Sequence, residues 1–80
     1  MKKLPRDING VDLAKLLSKY DYEIIRQTGS HIRLTTLKNG EHHITIPAHR
    51  PLKVGTLSGI LKDIANHFEI TKEELLDTLF

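Results

Sequence analysis

The chemistry in this chain begins at a histidine. Gly29-Ser30-His31 sets an imidazole just past a glycine turn, at the mouth of a run of alternating residues. Imidazole titrates near neutrality, so it can move protons at cell pH. The backbone N–H groups of such a turn can hold a phosphate oxygen. Arg33 follows two residues on, which in an extended chain is the same face. This trio suits phosphodiester cleavage, with His31 as general base or acid and Arg33 and the turn amides as electrostatic support. The competing reading of the pattern is an exposed strand histidine with no role.

Other residues could meet the same substrate. Lys53-Val54-Gly55-Thr56 leads into a helical pattern, and a helix N-terminus with a free glycine amide, a hydroxyl and a lysine suits a phosphate. Gly-Thr also simply starts helices. His49 and Arg50, in the loop just before, can contact the same backbone, and His43 lines the outward face of a strand. His42 and His43 are neighbours on that strand, so they point to opposite faces and cannot chelate one ion. His31, His43 and His49 have no carboxylate near them to complete a typical metal site. No metal and no cofactor is expected. His42 and His67 read as ordinary surface or partly buried residues.

These residues need elements to position them. Asn9 is set to cap a helix over about 10–20, with Asp12 near its positive end. Leu13, Leu16, Leu17 and Tyr20 repeat at helical spacing along it. Residues 22–28 are β-like, but adjacent Ile24 and Ile25 leave the inward face ambiguous. Residues 31–37 alternate, with Ile32 and Leu34 on one face and His31, Arg33 and Thr35 on the other. Asn39-Gly40 predicts a type I′ hairpin turn. In 42–47, Ile44 and Ile46 point inward while His43 and Thr45 point outward. Pro47 and Pro51 hold the next loop extended.

A second helix starts near 54–56, its inward face built from Leu57, Ile60, Leu61, Ile64 and Phe68. Thr71-Lys72-Glu73-Glu74 is a capping box, and Ile70 with Leu75 fits a hydrophobic staple, marking a short third helix to about Leu79. The predicted fold is α+β: two helices on one face of a three-stranded antiparallel sheet, with a short extra C-terminal helix.

Composition sets the bounds. Eighty residues make one domain over 1–80, with a thin core. The absence of cysteine excludes disulfides, thiolate catalysis and cysteine-based zinc sites. No apolar run reaches membrane-span length and no signal-peptide pattern opens the chain, so a cytoplasmic protein is expected. The net charge of +2 is unevenly spread. From 24 to 53, Arg26, Arg33, Lys38, Arg50 and Lys53 face only Glu41, a net +4. From 62 to 80 the net is −3, while Lys2, Lys3 and Arg6 add positive charge at the start. A basic middle suits a polyanionic partner.

Taken together, several stretches resemble the HicA family of toxins from bacterial and archaeal toxin–antitoxin modules. They are Gly29-Ser30-His31, then Ile44-Thr45-Ile46-Pro47-Ala48-His49, then Leu52-Lys53-Val54-Gly55-Thr56-Leu57 with Ile60-Leu61-Lys62. The resemblance runs from the first helix through the second. It implies a double-stranded-RNA-binding-domain-like order, α-β-β-β-α, as derived above from the residues. It implies a metal-independent endoribonuclease that cleaves mRNA, with His31 as the catalytic histidine and a HicB antitoxin masking that site. Ser30, Arg33, His43, His49, Arg50, Lys53, Gly55 and Thr56 are the expected RNA-binding residues. Arg33, His43 and Lys53 are all candidates for the second acid or base. Many members have Gly-Phe after the first helix, where this chain has Asp21-Tyr22. That change is expected to alter a turn and not the chemistry. The alternatives are a non-catalytic module that binds duplex RNA by shape, and a domain whose exposed sheet face docks another protein.

Overall fold

The computed structural model describes residues 4–80, so the charges of Lys2 and Lys3 lie outside the described residues. The elements run α1 (Gly10–Leu16), a 3-10 turn (Leu17–Tyr20), β1 (Glu23–Thr28), β2 (His31–Thr36), β3 (His42–Pro47), α2 (Val54–Phe68) and α3 (Lys72–Leu79). The three strands form one antiparallel sheet in the order β1-β2-β3. This is the expected α+β arrangement with its added C-terminal helix.

The first helix covers the predicted span but tightens at Leu17 into the 3-10 turn. Asn9 has the extended backbone of an N-cap, yet its side chain makes no capping bond. The first free helical N–H is met from outside instead, since Gly10 N donates to the His49 carbonyl at 3.1 Å. At the other end Asp21 takes the left-handed conformation (φ 61°) that a glycine would fill more easily. The turn is therefore kept with an aspartate in it. Tyr22 beyond it is buried, with its ring edge-on to Phe68 at 6.1 Å.

The alternation in β2 and β3 sorts side chains as predicted: Ile32, Leu34, Ile44 and Ile46 are buried. Leu13 and Leu17 from the first helical segment, and Leu57, Leu61 and Ile64 from α2, belong to the same core. Thr36 also points inward, with its hydroxyl donating to the Tyr20 carbonyl at 3.0 Å and accepting from Lys38 N. All six residues of β1 are exposed. A bulge between Ile24 and Arg26 breaks its register, which is why two adjacent isoleucines gave no clear inward face.

The β2–β3 connection departs from the predicted two-residue turn. Thr36 pairs with His42, so the loop is residues 37–41. Asn39 and Gly40 do have positive φ, at 58° and 98°. The loop is shaped by a tertiary contact: Asn39 Nδ2 donates to the His67 carbonyl at 2.8 Å, and His67 Nε2 donates to the Lys38 carbonyl at 3.0 Å. After α2, Thr71 caps α3 by accepting from Glu74 N at 3.0 Å. Leu75, Leu76 and Leu79 bury α3 against α2 and the 3-10 turn.

Candidate functional site

His31 is the first residue of β2, exposed, and directly after the Gly29-Ser30 turn. Gly29 has φ +54°, a backbone that strains any residue with a side chain. His31 stands across from Thr28 on one side and Pro47 on the other. The turn is pinned to the loop after β3, because Ala48 N donates to the Ser30 carbonyl at 2.7 Å. That loop is tied in turn to the chain around α1 through Gly10 N to the His49 carbonyl and Leu52 N to the Ile8 carbonyl at 2.9 Å. Ser30, His31 and His49 therefore belong to one tied end of the sheet, with exposed Arg50 in the same loop.

The start of α2 lies at this end as well. His67, near its C-terminus, bonds the loop at the opposite end of the sheet. A helix of 15 residues spans about 22 Å, and a strand of six residues spans about 20 Å. Lys53, Gly55 and Thr56 are thus carried back toward the His31 end. Lys53 and Gly55 are exposed and Thr56 is half-buried. No heavy atom lies within 4 Å of where a side chain on Gly55 would begin.

Arg33 is one step inward from His31 on the same outward face, opposite Thr45, roughly 7 Å along the strand. His43 faces outward too, but it pairs with Thr35. Thr35 is four positions on from His31 along β2, about 13 Å. His43 is further tied to Glu41, with Nε2 to Oε2 at 2.6 Å. The expected group is therefore split, with His43 at the far end and the others around His31. Among the described residues no three His, Asp or Glu side chains gather as a metal site.

His42 turns to the other face, as its strand position requires. Its Nδ1 accepts from the Tyr22 hydroxyl at 2.6 Å, its Nε2 donates to Asp63 at 3.3 Å, and its ring stacks on His67 at 4.4 Å. Burial, with the Asp63 carboxylate adding to it, raises the Tyr22 phenol well above its ordinary range. This group braces β3 against α2 and stands apart from His31.

Two further contributors were not singled out from the sequence. Gly10 carries no side chain where Pro47 passes, and Arg26 stands directly across β1–β2 from Arg33. Counting back from the Gly29-Ser30 turn would have found Arg26. Nothing local in the sequence marks Gly10. Among the described residues the carboxylates in contact with a basic side chain are Asp63 on His42 and Glu41 on His43, so no carboxylate pairs with the cations near His31. The arrangement can move a proton next to a bound anion.

Residues 10–65 match a family described as HicA toxin of bacterial toxin-antitoxin. Among curated proteins and among solved structures, none matches the chain.

Proposed function

We propose, because the chain belongs to the HicA toxin family of bacterial toxin–antitoxin systems, that it is a ribonuclease that cleaves mRNA with His31. The observation that carries this reading is an exposed imidazole at a glycine turn, with Arg33 on its face and no carboxylate paired to either among the described residues. In the proposed reaction His31 takes the proton of an RNA 2′-hydroxyl, whose oxygen attacks the adjacent phosphorus. The bond from phosphorus to the 5′-oxygen breaks, and that oxygen collects a proton. The products are a 2′,3′-cyclic phosphate and a 5′-hydroxyl end.

No step in that scheme calls for a metal ion. Arg33 and the turn amides at Ser30 offset negative charge on the phosphate as it is attacked. Arg50, Lys53, Gly55 and Thr56 hold neighbouring phosphates. His49 is the second imidazole at this end of the sheet and the better partner for the leaving oxygen, since His43 is about 13 Å along the strands. A HicB antitoxin silences the enzyme by covering the His31 face. An mRNA substrate implies a cytoplasmic setting, and no helix among the described residues is long and apolar enough to cross a membrane.

His31→Ala and His31→Gln test the reading. A positioned histidine contributes about 10²–10⁴-fold, so both variants should lose cleavage by at least the lower figure, measured on purified protein in EDTA. Their stability should stay within about 0.5 kcal/mol of the parent, as for an exposed change, and RNA binding should persist. Cleavage at the parent's rate by either variant would falsify the role of His31. A parent that binds duplex RNA and cleaves none would be the non-catalytic module instead.

A further inference from the structure

We infer that Arg26 is a second phosphate-binding residue of this site, gripping the RNA backbone together with Arg33; the inference rests on the reading proposed above. Arg26 and Arg33 are direct cross-strand partners, and both are exposed. Like charges directly opposite on a sheet repel and destabilise the pairing. Neither arginine has an acidic partner among the described residues. The next residue in that row is Thr45, which brings no negative charge. The two charges therefore repel each other in the isolated fold, and an anion is what would reconcile them.

The side chain of Arg26 is aimed. Its Nε donates to Thr28 Oγ1 at 3.2 Å, and Thr28 is the strand partner of His31. The guanidinium is thereby held along β1 toward the His31 row. Using Nε in this way leaves the two terminal nitrogens free for a bidentate phosphate contact. The Arg26–Arg33 row is one two-residue step from the Thr28–His31 row, about 7 Å, on the scale of one nucleotide step. The pair accordingly spans the phosphate attacked beside His31 and the one next to it.

The same face presents no tyrosine or phenylalanine ring to RNA. Tyr22 is buried, and Tyr20, Phe68 and Phe80 pack against the core. Without a tyrosine or phenylalanine platform on which bases stack, recognition at this row falls on the backbone and tolerates any sequence.

The experiment uses the His31→Gln protein, so that RNA survives the assay, and an oligoribonucleotide titrated over a salt series. Adding Arg26→Gln should weaken binding alike for different sequences and lower the salt slope by about 0.7, one single-strand phosphate contact. Arg26→Lys should recover the slope, since it keeps the charge, but not the full affinity, since it loses the fork. The melting temperature of Arg26→Gln should hold or rise, because a repulsion is removed. With His31 intact, Arg26→Gln should raise KM more than it lowers kcat.

An unchanged slope and affinity would overturn the inference, and so would a fall in melting temperature, which would make Arg26 a structural residue. Normal RNA binding with loss of the antitoxin would assign the pair to a protein interface and overturn it too. If the parent cleaves RNA while Arg26→Gln binds as before, only this inference falls. If the parent cleaves nothing but the slope still drops, the ribonuclease reading falls and the phosphate pair stands.

Discussion

Gly10 has no side chain because Pro47 leaves no room for one. A Cβ there would sit 1.9 Å from the Pro47 carbonyl oxygen and 2.9 Å from its carbon. Both atoms are backbone, so relief requires α1 or the loop after β3 to move. That loop is the one pinned to Ser30 beside His31. Gly10→Ala should therefore cost about 1–3 kcal/mol, as overpacking does, although alanine is the better helix former by about 1 kcal/mol. Cleavage should fall further than the loss of folded protein explains. Gly59→Ala is the matched control: it is exposed in α2 with nothing within 4 Å of the new carbon, and it should stabilise. Melting curves of the two variants, taken beside cleavage rates, check this; equal effects would mean the close approach is not real. The contrast also bounds what could be read in advance. The place of His31, exposed at the start of β2, was legible because its motif is local. Gly10 and Gly59 look alike in sequence, and only a partner far along the chain tells them apart.

At the scale of elements, legibility followed the core. β2 and β3 were readable because one face of each is buried, so their alternation reports it. α2 was readable for the same reason. β1 was placed as a strand, but its inward face was not readable, since neither long helix covers it and a bulge shifts its phase. The hairpin was placed correctly, but its length was set by docking on His67, which no local pattern records. α3 lies beyond the matched residues 10–65, and its burial decides whether it is an appendage. Leu75, Leu76 and Leu79 are nearly or fully buried. At about 1.5–3 kcal/mol each, their burial is worth roughly 5–9 kcal/mol. The whole stability of a chain this size is about 4–12 kcal/mol. A protein ending at Ile70 should therefore lose its cooperative melt and most of its tertiary signal. If it melts as the full chain does, α3 is not part of the fold's support.

The whole molecule is a flat body of 32 × 29 × 17 Å, one sheet under a layer of helices. Its charge is divided between sides. The sheet face and the His31 end expose Arg26, Arg33, Arg50 and Lys53, whereas α3 exposes Glu73, Glu74 and Asp77. A polyanion is drawn to the sheet and turned from α3, a bias that weakens as salt screens it. The sequence showed the charge blocks; that they fall on different sides required the fold. The open edge strand has a consequence in time. β1 is held by β2 alone and is exposed along its full length, so it can part from the sheet while the core stays closed. Its amides should exchange with deuterium sooner than those of β2, which lies between two neighbours. RNA that bridges Arg26 and Arg33 ties the two strands together from outside. Binding of RNA to the His31→Gln protein should therefore slow exchange in β1 more than anywhere in α3, and equal slowing in both would separate the edge strand from the substrate. The strand that the fold holds most loosely would then be the one whose breathing the substrate stills.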